Sequence, residues 1–206
     1  MNPRIGAMTG NLKLATAFVL LGGMLTSCVL PQPRAELGNL SELRSDEVVI
    51  VGRVDLVPKL AEGEQKLEAL GTGDAVNKVY LLTNEHYRVF EQEPRMSDYE
   101  GYIPAPLGKN FFVRSSAKPF YILGGQLRLT ARGDDMSSAY FPGGMKVSVK
   151  PGDKAVYIGA IQYYRDEFFE VSKIVIVDDY DRANAEFKRT YGAKYSLRKA
   201  LVTPVK

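Results

Sequence analysis

The run Glu47-Val48-Val49-Ile50-Val51-Gly52-Arg53-Val54-Asp55-Leu56-Val57, followed by Pro58, decides the fold class of this 206-residue chain. Val and Ile side chains are stiff about χ1 and pack well on a pleated surface, so the run reads as a strand. Gly52 is its expected bulge and Pro58 its stop. Further strand-like runs follow at 78–83, 87–90, 111–114, 120–123, 126–132, 145–149, 155–164 and 168–177, separated by Gly, Pro, Asp and Asn clusters. Helical periodicity is nearly absent between them. That argues for antiparallel pairing and a mainly β sandwich of eight or nine strands, immunoglobulin-like or prealbumin-like, rather than βαβ units.

Working outward, Lys150-Pro151-Gly152-Asp153 places Pro and Gly where a type II turn needs them and predicts a hairpin between the strands at 145–149 and 155–164. Arg165-Asp166-Glu167 predicts a second hairpin. Residues 60–70 leave room for a short helix through Leu60, Leu67 and Leu70. In the tail, Ala183, Phe187 and Tyr191 recur at four-residue steps after Asp178-Asp179-Tyr180-Asp181, and Gly192 follows them. This predicts a capped C-terminal helix over 182–191. Residues 196–202 read equally as a helical turn or a closing strand. Upstream of the first strand, residues 28–46 hold Pro31, Pro33 and two glutamates with little apolar periodicity, which reads as a flexible tether; a short helix around Asn39 to Arg44 is compatible with it.

The beginning of the chain carries Arg4 and Lys13, no acid, and then the apolar run Leu14 to Leu25. That is the charged and apolar order of an export signal. At about 1.5 Å per residue, about 12 residues reach roughly 18 Å, well short of a hydrocarbon core of about 30 Å. Directly after it stands Leu25-Thr26-Ser27-Cys28, which resembles the lipobox of bacterial lipoproteins: an aliphatic residue, two small residues and a cysteine. The resemblance implies that residues 1–27 are a signal peptide, with Met1 or Met8 as its start. It implies that Cys28 becomes an N-terminal diacylglyceryl-cysteine holding the mature protein to a membrane, facing the periplasm. Val29 follows Cys28 where an inner-membrane retention signal would place Asp, which favours the outer membrane. Residues 47–206 then form one domain.

Composition narrows the function classes. Without residues 1–27 the chain keeps 25 basic and 24 acidic residues, a net charge of +1 that gives no basis for nucleic-acid binding. Cys28 is the one cysteine, so no disulfide or zinc cluster is available, and His86 is the one histidine. His86 between Glu85 and Tyr87 reads as a turn or strand-edge residue. Ser115 to Lys118 and Ser196 to Lys199 both match Ser-x-x-Lys, but the companion Ser-Asp-Asn and Lys-Thr-Gly motifs of penicillin-binding enzymes are missing, as is Gly-x-Ser-x-Gly. Gly71-Thr72-Gly73-Asp74 lacks the lysine of a P-loop. Asp134-Asp135 reads as a solvated turn, and Asp178, Asp179 and Asp181 as helix-capping acids rather than a calcium loop. No catalytic, cofactor or metal set assembles from these residues.

Aromatic residues are the remaining signal: 12 Tyr, 9 Phe and no Trp. Tyr140-Phe141 precede an expected Pro142-Gly143-Gly144 loop, and Tyr163-Tyr164 sit on the 155–164 strand. Successive side chains on a strand point to opposite faces, so Tyr163 and Tyr164 cannot both point inward. Either the C-terminal helix covers the second face with Phe187 and Tyr191, or Tyr140, Phe141, Tyr163 and Tyr164 contribute to an exposed patch for a protein or glycan. The stretch Val147 to Gln162, continued by Val175-Ile176-Val177-Asp178-Asp179-Tyr180-Asp181, resembles the end of small β-sandwich lipoproteins of unknown function, similar to prealbumin-like or carboxypeptidase-regulatory-like domains. That resemblance implies a binding or structural role. The sequence therefore predicts a non-enzymatic, lipid-anchored envelope protein with an envelope protein partner; the alternatives are a small-molecule or glycan binder and an envelope hydrolase.

Overall fold

The computed structural model describes residues 31–61, 77–90, 96–130 and 136–205. The signal segment with Cys28, the Gly71–Asp74 loop, the Asp134–Asp135 turn and nearly all of the helix expected over 60–70 lie outside the described residues. The rest is mainly β: two mixed sheets and one α-helix.

The strand at Glu47–Val57 (β2) is central to a five-stranded sheet. It pairs antiparallel with β5 (Asn110–Ser116) and parallel with β8 (Ala155–Arg165). Two short strands share the other edge of β8: β10 (Arg198–Lys199), parallel, along its start, and β9 (Val171–Val177), antiparallel, along its end. The second sheet has six strands in the order β1 (Gln32–Pro33), β4 (Gly101–Pro106), β3 (Lys78–Asn84), β6 (Phe120–Thr130), β7 (Met136–Val147) and β11 (Thr203–Pro204).

The continuous apolar run of β2 follows from burial on both sides, as expected of a parallel-paired central strand. Val48, Ile50, Val54 and Leu56 enter the core shared with Val79, Leu81, Ile103, Phe120, Ile122 and Phe141 of the six-stranded sheet. Val49 and Val51 face the other way, into a second cluster with Tyr157, Ala183 and Phe187. Each buried Val or Ile contributes about 1.5–3 kcal/mol of transfer free energy. The helix α1 (Tyr180–Tyr191) supplies Ala183 and Phe187 and ends at Gly192, whose φ of 82° lets its N–H reach Lys188 O at 2.9 Å.

Several expectations are corrected. Pairing is not antiparallel throughout, since β2–β8, β8–β10 and β1–β4 are parallel. The Lys150–Asp153 turn forms, with Asp153 N–H bonded to Lys150 O at 3.1 Å, but it carries the chain from one sheet to the other instead of closing a hairpin. Residues 120–123 and 126–132 do not form two strands, because the described part, through Thr130, is one strand running through Gly124-Gly125. Gly143-Gly144 is a bulge inside β7, opposite Leu123, and not a loop. A Cβ on Gly143 would lie 2.2 Å from the Leu123 carbonyl carbon, so backbone contact, not a turn, requires glycine there. Gly52 marks an irregularity as expected, yet the extra residue belongs to β8, where Ile158 and Gly159 together oppose Gly52. A Cβ on Gly52 would stand 2.7 Å from Phe111 Cζ and 2.8 Å from Ile158 Cγ1. Residues 87–90 form no strand. β4 escapes strand patterning because of Pro104 and Pro106, which are tolerated because the strand beyond β4, β1, pairs only at Gly101 and Tyr102.

The tether is the largest correction. Gln32 and Pro33 pair with β4, Arg34 N–H donates to Tyr102 O at 2.8 Å, Ala35 O accepts from Arg114 N–H at 2.9 Å, and Leu37 N–H donates to Phe112 O at 3.1 Å. Leu37 and Leu40 are buried in the second cluster, and a 3₁₀ turn over Leu40–Glu42 is capped by Asn39. Residues 31–46 are thus a strap laid across the edges of both sheets. The undecided tail resolves the same way on the other side: β10 adds to β8, Ala200 and Val202 donate to Tyr157 O and Ile158 O, and β11 joins β7. Both open sides are closed by chain ends, which protects sheet edges from pairing with other chains.

Candidate interaction face

In the six-stranded sheet Val79, Leu81, Ile103, Ala105, Leu127, Ala139 and Phe141 face the core. Their sequence neighbours face the opposite side. Register then aligns Pro104, Tyr80, Gln126 and Tyr140 in a row across β4, β3, β6 and β7 on that outer side. Tyr80 meets Tyr102 edge-on, with ring centroids 5.5 Å apart. Tyr140 is 49% exposed, whereas Gln126 is only 7% exposed.

The Gln126 amide is held in place: Nε2 donates to Ser138 Oγ at 3.1 Å and to the Tyr140 hydroxyl at 3.4 Å. Its Oε1 accepts no hydrogen bond among the described residues. A buried carbonyl without a donor costs about 1–3 kcal/mol. Beside the row, Tyr99 packs on Phe90 with centroids 5.4 Å apart and brings its hydroxyl within 4.0 Å of where a Gly124 Cβ would stand. Burial, aided by Asp98 and Tyr140, pushes the Tyr99 hydroxyl pKa up to about 12. It therefore remains a neutral donor. Aromatic rings around a fixed amide offer flat apolar contact together with directed hydrogen bonding.

Of the four aromatic residues singled out by sequence, only Tyr140 lies on this face. Phe141 and Tyr163 are buried against each other in the core, with centroids 5.0 Å apart. Burial raises the Tyr163 pKa, and its hydroxyl has no partner among the described residues. Tyr164 is on the outer side of the five-stranded sheet, with Lys173 Nζ 5.5 Å from its ring centre. The four thus make no common patch, because alternation sends neighbours to opposite faces. The covering helix is present, with Phe112 stacked near Phe187 and Tyr191 at 6.4 and 5.6 Å and Tyr157 near Tyr180 at 5.8 Å. Sequence reasoning missed Tyr80, Tyr102 and Gln126. The available signal was the alternation in Lys78-Val79-Tyr80-Leu81 and Gly101-Tyr102-Ile103-Pro104-Ala105.

The residues weighed for catalysis are dispersed. His86 is exposed. Ser115 is buried and receives a hydrogen bond from Arg34, while Lys118 faces Glu85 at 3.8 Å. Ser196 is exposed, and Lys199 is bonded to Asp178 at 2.8 Å. In neither Ser-x-x-Lys pair does the lysine address the serine. Two of the three tail acids, Asp178 and Asp179, have separate structural tasks. Asp178 Oδ1 accepts the Tyr180 N–H at 3.2 Å at the start of α1, whereas Asp179, at the N-cap position, makes no side-chain capping bond. Asp179 instead receives the buried Arg53 at 2.6 Å, and Arg53 Nε donates to Asp55 at 2.9 Å. Burial alone would lower the Arg53 pKa, and these two carboxylates more than reverse it. Among the described residues no group of three or more His, Cys, Asp or Glu side chains is placed to hold a metal, and no helix is long and apolar enough to cross a membrane.

No family model matches the chain, and neither curated proteins nor solved structures gave a match.

Proposed function

We propose that this protein is a lipid-anchored, non-enzymatic component of a bacterial envelope that binds a protein partner through the outer face of its six-stranded sheet. The location rests on the sequence: a charged start, a short apolar run and Leu25-Thr26-Ser27-Cys28, giving a periplasm-facing domain anchored by a diacylglyceryl-cysteine, on the outer membrane by virtue of Val29. The two sheets are read as a β-sandwich of the immunoglobulin-like or prealbumin-like kind. One observation carries the binding role: the row of Tyr80, Gln126 and Tyr140, with an exposed ring beside an amide oxygen that has no donor among the described residues.

Two variants test the reading. Cys28→Ser is expected to move the protein from the membrane to the soluble fraction; retention in the membrane overturns the anchor. Tyr140→Ala, at a half-exposed position, is expected to leave the unfolding midpoint unchanged and to reduce about tenfold the partner recovered with the acylated protein from its native membrane. Undiminished recovery removes this face from the function.

The Gln126 carbonyl also favours a second reading, a glycan on the same face, since sugar hydroxyls donate to amides and sugar rings stack on tyrosine. Core side chains from both sheets pack together on the opposite side of the six-stranded sheet from this face. Calorimetric titration with soluble envelope glycans distinguishes the two. Binding that is lost in Gln126→Leu supports the glycan, and no heat with any glycan eliminates it.

A further inference from the structure

Four large apolar side chains are well exposed among the described residues: Tyr87 at 41%, Val89 at 76%, Tyr140 at 49% and Phe168 at 76%. Tyr140 belongs to the sheet face. Tyr87 and Val89 share one loop, residues 85–90, at the end of the molecule where the strap begins. Gln32 N–H donates to Glu100 O at 3.3 Å, and the Glu100 carboxylate accepts the Glu85 N–H at 2.7 Å, so Glu100 alone joins the first strap strand to the base of the loop. Tyr87 is propped outward against Tyr121, with centroids 5.6 Å apart.

The strap converts this proximity into a geometric restriction. From Cys28 to the paired residue Gln32 there are four residue steps, and a fully extended chain spans at most about 3.6 Å per step, hence about 14 Å. A flexible 19-residue tether would let the domain tumble far from the bilayer; a packed strap does not.

Resting on the lipid-anchored reading, we infer that residues 85–90 form a second, direct contact with the membrane, in which Tyr87 and Val89 enter the lipid headgroup region beside the acylated Cys28. Tyrosine suits that layer because its ring is apolar and its hydroxyl stays hydrated. Exposed Arg88 and Lys118 flank the pair and can keep their charges at the surface while their stems lie along it. The contact fixes which end of the domain faces the bilayer and leaves the sheet face with Tyr140 directed along the membrane. Phe168, on the β8–β9 hairpin, points away at the far end, because β2 begins beside the strap and its last residues pair with Tyr163 and Tyr164 next to that hairpin.

The absence of tryptophan allows a direct test, since one introduced Trp is the sole indole in the chain. Acylated full-length protein carrying Val89→Trp or Phe168→Trp is reconstituted into phosphatidylethanolamine–phosphatidylglycerol vesicles with brominated acyl chains. Both positions are exposed and tolerate the larger ring. Expected are a blue-shifted emission and at least twofold quenching for Val89→Trp, with unquenched, water-like emission for Phe168→Trp. Equal quenching at both positions, or none at position 89 while the protein still floats with the vesicles, overturns the loop contact and leaves the anchor standing. Failure of the protein to float with the vesicles overturns the anchor itself and the loop contact with it.

Discussion

Residues 31–46 and residues 197–205 perform the same mechanical task on opposite sides of the molecule, joining the edges of two sheets, but they hold by different chemistry. The N-terminal strap is fastened by apolar burial of Leu37 and Leu40 and by a cation, Arg34, that has no carboxylate within ion-pair distance among the described residues, Glu85 and Glu100 acting on it only from further away. Its guanidinium donates to the Ser115 and Thr83 hydroxyls and lies 4.2 Å from the Phe120 ring centre. Burial pulls its pKa down to about 10, so it is charged at neutral pH but at a cost. The C-terminal strap is fastened by a two-pronged ion pair: Arg198 Nε and Nη2 donate to Asp153 at 2.7 and 2.6 Å, and Nη2 also reaches Ser148 O at 2.9 Å. Both straps bury apolar side chains, Leu197 and Val202 in the second, but the second adds a close ion pair.

The contrast is sharpest under truncation. Leu40→Ala leaves a hole between the strap and the β2 face and is expected to destabilise by about 2–4 kcal/mol in denaturant unfolding. A loss under 1 kcal/mol would mean that the strap lies on the surface instead of completing the core. Arg198→Ala strands the nearly buried Asp153 carboxylate and is expected to cost about 1–3 kcal/mol. Hydrogen exchange should locate that loss at the Ala200 and Val202 amides.

Acid should separate the straps without mutation. The bonds from Arg198 hold the Asp153 carboxyl below its ordinary range. A carboxylate whose pKa is lowered on folding adds stability that is complete above its unfolded value, about 3.9, and is lost as pH falls through the lower folded value. Protection factors at Ala200 and Val202 are therefore expected to fall below about pH 4. Those at Arg34 and Leu37 should persist, because the N-terminal strap's own lowered carboxyl, Glu47, belongs to the turn into β2 and pairs with Arg44. Equal loss at both straps would erase the distinction. The smallest effect is expected for Arg34→Met, which removes a buried charge whose carboxylates, Glu85 and Glu100, act only from beyond ion-pair distance among the described residues, and keeps the apolar stem. Its unfolding free energy should stay within about 1 kcal/mol of the parent, since an unpaired buried cation repays little of its desolvation.

The same contrast explains what was legible beforehand. Runs with strong local chemistry were read well: Glu47–Val57 matches β2 residue for residue, and the Ala183, Phe187, Tyr191 spacing and Gly192 locate α1. The straps are hard to read because residues 28–46 and 196–202 have little periodicity of their own; Leu37, Leu40 and Val202 are isolated apolar residues that acquire meaning only from the surfaces they meet. Gly124-Gly125 and Gly143-Gly144 were read as breaks for the opposite reason. Their local signal is strong, but close approach of two backbones overrides it. The candidate face was hidden likewise, since Tyr80, Gln126 and Tyr140 are 46 and 14 residues apart in sequence and meet only through strand register.

By itself, the sequence determined the strand-rich class, the C-terminal helix and its stop, and the single cysteine on which any lipid anchor depends, because these follow from local stiffness, periodicity and composition. Tertiary structure alone decided that β2 pairs parallel to β8, that Phe141 and Tyr163 are core while Tyr140 is surface, and that residues 31–46 and 197–205 are straps. Those outcomes depend on register and on which surfaces meet, and neither is a property of any one segment.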